Sequence, residues 1–385
     1  MSAGDVAATA PARLVSVDVF RGATIVAMIL VNNPGDWGAV YAPLRHAEWH
    51  GWTPTDLIFP FFLFIVGVAI VLALGRRLDA GTAHGLLAIK ALKRSAVLLG
   101  LGLFLSGYPF GLFGPRTFER LLETWRFPGV LQRIAVCYLV ASLLFLRCRG
   151  SRRAPALWIV ALLLGYWALV TLVPVPGVGA PDLDSRGDHL AGWLDRAVFG
   201  EHVWSQAEVY DPEGLVSTLP AIATTLFGVL AGLVLVSRRE PADKLVRLFV
   251  HGSGLVVLGY AWNWFFPINK ALWTSSYAVF TAGLGYCALA LAYYLFDLAD
   301  RRALARPLTL YGINAITVFV GSGLLAKTLL YVKVGDASLH GWLYGRLLAS
   351  WLPAYPASLA WAVCWIAGWF LVLTWMAQRG IVIKV

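Results

Sequence analysis

The 385-residue sequence is poor in charge, and this shortage limits the class of protein. Only 14% of its residues are charged, whereas 59% are hydrophobic and the mean hydropathy is +0.71. Soluble domains carry roughly 25% charged residues. The chain instead holds many uncharged runs near the ~20 residues that cross a ~30 Å hydrocarbon layer. It does not show the alternating strands of ~10 residues that are typical of an outer-membrane barrel. We therefore predict an all-α polytopic membrane protein.

The sequence is also poor in cysteine and lacks several catalytic motifs. Cys137, Cys287 and Cys364 lie in apolar runs, and Cys148 lies in an arginine cluster. This spacing fits neither a disulfide framework nor a zinc site, so we expect no bound metal. There is no G-x-x-x-x-G-K-[ST] loop, no G-x-S-x-G elbow and no H-E-x-x-H pair. These absences argue against an ATP-driven pump, a serine hydrolase and a zinc protease.

The apolar runs predict about ten transmembrane helices in a single domain of residues 1–385. We expect a disordered cytoplasmic leader over 1–13 and a long, acidic, non-cytoplasmic loop over 174–214. Helical spacing of apolar residues in His189–Gly200 predicts a short helix within that loop. The predicted spans are about 15–33, 55–75, 88–107, 129–147, 155–174, 215–237, 247–266, 276–296, 308–331 and 357–378.

The formal net charge of +10 is distributed unevenly between the loops. Lysine and arginine collect in every second connection, and these connections are short. The positive-inside rule then places both termini in the cytoplasm and the loop after the first span on the opposite side. For an inner-membrane protein of a Gram-negative cell, that side is the periplasm. Contact with the membrane explains the basic balance, and no nucleic-acid partner is expected.

The loop between the first two spans concentrates polar and aromatic residues, and His46 is its first candidate. Histidine changes charge near neutral pH and therefore suits proton abstraction from an amine or hydroxyl. An ordinary loop histidine bonded to backbone is the simpler alternative, and His50 is equivalent on local grounds. Asp56 opens the second span, where its carboxylate could cap the helix or orient the histidine ring. Asn32 ends the first span, where an amide could cap the helix or polarise a carbonyl oxygen.

Charged and amide side chains within the spans form a second group of candidates. Arg21 lies three residues after Asp18, so a local ion pair is the simple explanation, although charges within spans are often functional. Most buried amides join helices, whereas several that meet in one cavity would bind a polar ligand. The further members of this group are Arg94, Gln132, Arg133 and Asn314.

Five blocks of sequence, in order along the chain, resemble the heparan-α-glucosaminide N-acetyltransferase family of transmembrane acyltransferases. The first block runs from S-V-D-V-F-R-G through M-I-L-V-N-N-P-G, and the second is H-A-E-W-H-G-W-T-P-T-D-L. The others are R-F-P-G-V-L-Q-R (Arg126–Arg133), Y-D-P-E-G-L (Tyr210–Leu215) and G-I-N-A-I (Gly312–Ile316). The likeness covers essentially the whole chain, and the bacterial members of the NagX type are linked to amino-sugar use.

The resemblance implies transfer of an acetyl group from acetyl-CoA to the amine of a glucosamine-type sugar. The histidine of the family's H-A-x-W motif corresponds to His46, the asparagine that closes the first span to Asn32, and the acidic T-x-x-D residue to Asp56. His50 ranks below His46, because lysosomal members have an asparagine there. The chain starts near the first catalytic span, so a bacterial amino sugar is the expected acceptor rather than heparan sulfate. Members are often dimers.

Acyl transfer is accordingly the predicted chemistry, with His46 as general base or as carrier of a covalent acetyl group. Asp56 would position the ring, and Asn32 would help to hold the oxyanion. Arg21, Arg94 and Arg133 are candidates for binding the phosphates of CoA, with Gln132 and Asn314 as further cofactor contacts. Trp49, Trp52 and Asp211 are candidates for binding the sugar. The alternative is an amino-sugar permease without chemistry, which polar residues in the spans favour and the lack of internal repeats opposes.

Overall fold

The computed structural model describes residues 14–113, 117–148, 151–207 and 209–383, so the expected leader over 1–13 lies outside it. Most of the described chain is helical, and its only named strands are the two-residue pair β1 (Lys333–Val334) and β2 (Ala337–Ser338), which form a hairpin. The helices are α1 (Val15–Asn32), α2 (Ile58–Asp79), α3 (His84–Gly107), α4 (Phe118–Thr124), α5 (Val130–Arg147), α6 (Arg153–Leu172), α7 (Leu190–Phe199), α8 (Thr218–Leu235), α9 (Pro241–Trp262), α10 (Ser275–Tyr293), α11 (Arg302–Ile313), α12 (Ala315–Tyr331), α13 (Leu339–Tyr344) and α14 (Ala354–Gln378).

The prediction of an all-α polytopic membrane protein is confirmed. Within the described ranges, eight helices are long and apolar enough to cross a membrane, and a bent pair raises the number to nine. The expected third span lies in α3, which has 24 residues but carries Lys90, Lys93 and Arg94 in its first half. These charges are the reason why α3 does not belong to that apolar set. The short helix expected in the 174–214 loop is present as α7.

The expected ninth span over 308–331 is not one straight helix. It is divided at Asn314 into α11 and α12, whose axes differ by 76°. Asn314 has φ −107° and ψ 29°, outside the helical region, and its side-chain amide donates to the Leu310 carbonyl. Asparagine side chains compete in this way with the regular backbone bonds of a helix. The residues that start α12, Ala315 and Ile316, line the second of the cavities described below.

Glycine allows the central helices to approach each other closely. A Cβ at Gly22 of α1 would lie 1.8 Å from the Leu308 carbonyl oxygen of α11, and one at Gly67 of α2 would lie 1.9 Å from the Thr225 oxygen of α8. Small residues at such crossings are typical of helix packing in membranes, where close van der Waals contact replaces hydrophobic attraction. These two contacts fix α1 and α2, the helices that lead into and out of the polar loop.

Candidate active site

His46 and Asp56 lie side by side in the loop between α1 and α2. The Nδ1 atom of His46 is 2.6 Å from Oδ1 of Asp56, whose side chain is 1% exposed, whereas the His46 side chain is 47% exposed. The second carboxylate oxygen, Oδ2, accepts bonds from the Ala47 and Thr53 backbone N–H groups, both at 3.0 Å. Thr53 and Asp56 thereby form a capping box before α2. The two functions that the sequence left open for Asp56, helix cap and histidine partner, are both present.

The loop holds His46 in place through bonds to its own backbone. The Thr53 hydroxyl donates to the Arg45 carbonyl at 2.6 Å, and the Thr55 hydroxyl donates to the Pro43 carbonyl at 3.2 Å. The buried Tyr277 hydroxyl of α10 donates to the Asp56 carbonyl at 2.5 Å. The imidazole is therefore oriented by a fixed backbone, and its Nε2 atom is directed away from the carboxylate.

Lys270 reaches His46 from the loop between α9 and α10. Its Nζ atom lies 3.1 Å from Nδ1 and 3.2 Å from Nε2 of the imidazole, and 3.8 Å from Oδ1 of Asp56. Burial lowers the pKa of Lys270, while the charges of Asp56 and Glu213 act in the opposite direction. A cation at this distance from a base can stabilise negative charge that develops beside the ring.

Arg126 and Glu213 carry charge into the same region from two further segments. Arg126 forms a bidentate pair with Asp211, at 2.8 and 2.6 Å, and also donates to Glu213. Burial opposes ionisation of Glu213, but the charges of Arg126, Arg133 and Lys270 outweigh it and lower its pKa below the ordinary value. Glu213 is therefore a carboxylate at neutral pH. Fork-shaped Arg–carboxylate pairs of this kind are rigid as well as strong.

These side chains meet in one cavity of about 310 Å³, which we call the histidine chamber. Asn32 at the end of α1 faces it, as do His46 and Lys270. The neighbouring Asn33 instead folds back to donate to the Ile29 carbonyl, so it is the asparagine that caps α1. The remaining lining consists of Thr24, Met28, Val31, Thr55, Ile58, Phe59, Phe62, Arg126, Val130, Ile134, Trp204, Pro212, Glu213 and Phe319.

A second cavity of about 440 Å³, the arginine chamber, adjoins the first. Arg21, Arg77 and Arg94 line it together with Asp18. Arg21 pairs with Asp18 at 3.4 Å and donates to the Gly312 carbonyl at 3.0 Å, which is the local ion pair that the sequence allowed. The guanidinium of Arg94 lies 4.8 Å from the centre of the Tyr138 ring. Three guanidinium groups around a cavity suit an anionic ligand such as a phosphate.

Three of the five side chains expected to contact the cofactor lie outside both chambers. Arg133 is buried, and its Nη2 atom donates to Gly214 and Ser217 at 3.1 and 2.5 Å. Its Nε and Nη1 atoms have no hydrogen-bond partner among the described residues, and the guanidinium lies 5.2 Å from the centre of the Trp273 ring. Gln132 is also buried and packs against glycines of neighbouring segments. Asn314 marks the bend between α11 and α12. Arg21 and Arg94 are the members of that group that line a chamber.

The three residues expected to bind the sugar all contact other side chains or backbone of the protein. Trp49 donates from its indole to the Leu183 carbonyl at 2.8 Å and packs against His189 and Tyr210. Trp52 packs against Phe280. The Asp211 side chain is fully buried under Arg126. None of these three side chains lines the histidine chamber, whereas Trp204 does.

His50 is separated from the chamber by its bonds to other loops. Its Nε2 atom is 2.9 Å from Asp184, and its Nδ1 atom is 3.3 Å from the amide of Asn269. The backbone N–H of Gly51 donates to the Ile268 carbonyl at 2.8 Å. The structure separates the two histidines, which local sequence left equivalent and which the family resemblance ranked in the same order, since His46 faces the cavity and His50 joins the loops around it.

Sequence reasoning did not select Lys270, Arg126, Glu213, Trp204 or Arg77 as site residues. Lys270 had a usable signal, because it is a lysine directly after Asn269 at the end of a span. Arg126 and Glu213 stand in two of the blocks that carry the family resemblance. Trp204 and Arg77 had no distinguishing signal among 17 tryptophans and 31 basic residues.

Comparison with known proteins supports the same family as the sequence blocks. The family model described as "Heparan-alpha-glucosaminide N-acetyltransferase, catalytic" matches residues 13–180. The heparan-alpha-glucosaminide N-acetyltransferase of Homo sapiens is 30% identical over 358 residues, or 81% of this chain and 53% of that protein. The protein of the same name from Mus musculus is 30% identical over 376 residues, or 85% and 56%. The chain spans about half the length of these relatives.

The fold and the two chambers define a polytopic α-helical membrane protein with a histidine–aspartate pair at the mouth of an internal cavity. The chain belongs to the heparan-alpha-glucosaminide N-acetyltransferase family, as the matched region, the identity and the shared motifs agree. The matched region 13–180 contains His46, Asp56 and Asn32, the residues that build the first part of the histidine chamber.

Proposed function

We propose that this protein transfers an acetyl group from acetyl-CoA to the amine of a glucosamine-type sugar, with His46 as the general base. The observation that carries the proposal is the His46–Asp56 pair at 2.6 Å beside a cavity that also holds Asn32 and Lys270. A buried carboxylate that accepts Nδ1–H makes Nε2 the basic atom of the ring, and a substrate amine would take the place of Lys270, whose Nζ lies 3.2 Å from Nε2. The family to which the chain belongs supports the choice of acetyl transfer over other acyl-group chemistry.

In the proposed reaction, the acceptor nitrogen attacks the thioester carbonyl and forms the C–N bond. His46 Nε2 takes one proton from that nitrogen, the carbonyl oxygen becomes an oxyanion, and the C–S bond then breaks with release of CoA as a thiolate. Asn32 donates to the oxyanion, and the ammonium of Lys270 stabilises it electrostatically. In the covalent variant, His46 Nε2 first takes the acetyl group itself. Release of CoA by the protein without any acceptor, in an amount equal to the protein, would distinguish the variant.

The arginine chamber is the proposed site for the nucleotide of acetyl-CoA. Arg21 and Arg94 face it as expected, and Arg77 adds a third cation. Guanidinium groups bind phosphate oxygens through paired hydrogen bonds. By the positive-inside rule, the ends of the spans near Arg77 and Arg94 face the cytoplasm, where acetyl-CoA is made. Both termini then lie on that side of a cell inner membrane.

The acceptor would enter the histidine chamber from the opposite side. Glu213 supplies a carboxylate that attracts an amino sugar, and the exposed edge of Trp204 supplies an apolar face for the ring. The acidic residues of the 174–214 loop would strengthen that attraction. The resemblance also implies a homodimer, which the mass of the detergent-solubilised protein tests directly.

The decisive experiment is acetyl transfer by the purified protein in detergent, from labelled acetyl-CoA to glucosamine. We expect N-acetylated product with the wild type and a loss of about 10²–10⁴-fold in kcat for His46→Ala. His50→Ala is the matched control, because this histidine lies four residues away and bonds to loops rather than to the chamber. Equal losses in the two variants would contradict the assignment of the base.

The permease alternative makes a different prediction for the same preparation. Labelled glucosamine would accumulate unmodified in proteoliposomes without acetyl-CoA, and no N-acetylated product would form with it. That result would replace the enzyme with a carrier. Product formation without accumulation of free sugar excludes the carrier.

A further inference from the structure

We propose that Lys270 is a site of self-acetylation, at which the protein transfers the acetyl group of acetyl-CoA to its own lysine when no sugar amine is bound. The inference rests on the proposed function, because it uses the same base and the same donor. The sugar amine and the lysine amine then compete for one position beside His46.

The Lys270 amine stands where the proposed reaction needs the acceptor amine. Its Nζ atom lies 3.2 Å from Nε2 of His46, within the distance over which a base can take a proton. Both side chains line the histidine chamber. A lysine and a glucosamine-type sugar present the same nucleophile, a primary amine. A base that activates one of them at this position can therefore activate the other.

The loop around Lys270 is fixed by hydrogen bonds. The Oδ1 atom of the buried Asn269 accepts the Leu272 N–H at 2.9 Å, and the Asn269 N–H donates to the Thr274 hydroxyl at 3.0 Å. The Lys270 carbonyl accepts the Trp273 N–H at 3.1 Å. A nucleophile on such a fixed segment loses little freedom when it reaches the reactive geometry, which favours its attack over that of an amine from solution.

Lys270 is both accessible and able to lose its proton. Its side chain is 25% exposed and lines the chamber, so a thioester bound there can reach the nitrogen. Burial lowers the pKa of the amine, against the charges of Asp56 and Glu213, and thereby increases the neutral fraction at a given pH. Only the neutral amine has the lone pair that attacks a carbonyl carbon.

In the self-acetylation step, the neutral Lys270 amine attacks the thioester carbonyl and forms the C–N bond. His46 Nε2 takes one proton from the nitrogen, Asn32 donates to the oxyanion, and the C–S bond breaks with release of CoA as a thiolate. The product is an uncharged N-acetyl-lysine. Each protein molecule therefore reacts once and then lacks the cation that stabilises the oxyanion in the sugar reaction.

A bound amino sugar protects the lysine, because its amine takes the place of Nζ beside Nε2 of His46. The protein then stays active while acceptor is supplied and is inactivated by acetyl-CoA alone. The self-acetylation of Lys270 thus makes activity depend on the supply of acceptor as well as of donor.

Other lysines of the chain are matched internal controls. Lys327 is partly buried, as Lys270 is, but its Nζ donates to backbone carbonyls, including that of Leu105 at 2.6 Å. It should therefore stay unmodified. Lys90 and Lys93 are exposed on α3, so any label on them measures direct chemical acetylation by acetyl-CoA.

The test incubates the purified protein in detergent with labelled acetyl-CoA and no sugar, and localises the label by peptide mass spectrometry. We expect a single acetyl group on Lys270, stable to hydroxylamine, which removes an acetyl group from histidine. His46→Ala should slow the labelling at least ~10²-fold. Glucosamine at about ten times its KM should lower the initial rate of labelling about 10-fold, because it leaves roughly a tenth of the sites free.

Activity after the same incubation is a second readout. The acetylated wild type should lose about 10²–10³-fold in kcat for glucosamine, as expected for loss of the cation. Lys270→Arg should keep its own initial rate through the incubation, because a guanidinium stays charged and does not attack the thioester.

Label spread equally over Lys270, Lys90 and Lys93 would overturn the assignment, as would unchanged labelling in His46→Ala. If His46→Ala does not fold, Asp56→Asn gives the same comparison, because it leaves hydrogen on Nε2. Acetylated glucosamine together with unmodified Lys270 would contradict this inference alone. If neither glucosamine nor Lys270 is acetylated, the proposed function fails as well.

Discussion

At the scale of single residues, the Asp56 carboxylate divides its two oxygens between folding and chemistry. Oδ2 completes the capping box before α2, and Oδ1 holds the His46 ring. Any movement of the helix start is therefore transmitted to the imidazole. The arrangement explains why a polar loop with many turns can hold a base accurately, since the ring is fixed to the end of a helix.

Asp56→Asn should impair catalysis much more than folding. The amide oxygen can still accept the backbone N–H bonds of the cap, but the amide NH₂ then faces Nδ1 of His46. That contact selects the ring tautomer with hydrogen on Nε2, which cannot accept a proton from the substrate. We expect kcat to fall by about 10²–10⁴-fold, with a loss of stability no larger than ~2 kcal/mol. Acetyl-transfer rates and thermal unfolding of the same preparation provide the two measurements.

The control for this variant is Asp184→Asn. Asp184 pairs with His50 at 2.9 Å, in the same histidine–carboxylate chemistry outside the chamber. Its replacement should leave kcat within ~3-fold of the wild type, because exposed ion pairs contribute little. A large effect at Asp184 with a small one at Asp56 would reverse the roles of the two histidines.

Lys270→Met tests the proposed stabilisation of the oxyanion. Methionine keeps the length of the side chain and removes the cation, so kcat should fall by about 10²–10³-fold, as for loss of an oxyanion donor. KM for acetyl-CoA should change little, because the lysine lies in the histidine chamber. Lys270→Arg should restore part of kcat. Steady-state kinetics of the three proteins measures this, and unchanged kcat in Lys270→Met would remove the lysine from the mechanism.

The candidate site was predictable from the sequence only where its members are close in the chain. His46, Asp56 and Asn32 share one loop and its flanking helices, so a single motif brings them together. Lys270 contacts His46 across 224 positions, a distance at which local patterns carry no information. The sequence also does not show which polar side chains are engaged within the protein. The Trp49 indole donates to the Leu183 carbonyl, and the Asp211 carboxylate pairs with Arg126.

At the scale of elements, α7 is anchored by the buried carboxyl group of Asp195, whose pKa is raised. The side chain of Asp195 accepts bonds from the backbone N–H groups of Asp211 and Leu215, at 3.3 and 2.9 Å. Burial raises the pKa of Asp195 to about 6, although these bonds oppose the increase. His189 caps α7 by accepting the Gly192 N–H at 2.9 Å, and burial lowers its pKa to about 4. Both side chains are therefore neutral at pH 5.

Asp195 should make the protein less stable as the pH rises from about 4 to 6. The carboxyl group is ionised above pH ~4 in the unfolded chain but holds its proton to about pH 6 in the folded protein. Folding therefore takes up a proton in this window, and the stabilisation that protonation gives is lost above it. Asp195→Asn removes the titration. The difference in Tm, variant minus wild type, should increase between pH 4 and 6 and then stay constant. A difference independent of pH would contradict the raised pKa.

The helices themselves were largely predictable, because an apolar run that is long enough to span a membrane clearly indicates a transmembrane helix. The break at Asn314 was not, since the runs on both sides of it are apolar and their sum has the length of one span. A single asparagine bends a helix only when neighbouring helices stabilise the bend. Here α1 is such a neighbour, because Gly312 lies close against the Asp18 carbonyl. A hydropathy profile cannot predict this contact between distant parts of the chain.

At the scale of the whole molecule, the proposed function assigns the acyl donor to the arginine chamber and the acceptor to the histidine chamber. Arg94→Gln should raise KM for acetyl-CoA by about 10-fold, because a charged hydrogen bond to a phosphate contributes ~1.5–3 kcal/mol. KM for acetyl-pantetheine, which has the same thioester without the nucleotide, should not change. Kinetics with both donors makes the comparison. An equal effect on the two donors would place Arg94 outside the nucleotide site.

The contacts of Asp56 and His46 also determine when, during synthesis of the chain, the candidate site can be complete. The partners Tyr277 and Lys270 follow them by 221 and 224 positions, so both are translated long after the first two spans have entered the membrane. Until the α9–α10 hairpin docks, the early half of the chain carries a base without its cation. A chain that ends before Lys270 would therefore hold His46 without its neighbouring ammonium group, and we expect it to lose at least the factor of about 10²–10³ in kcat that Lys270→Met loses.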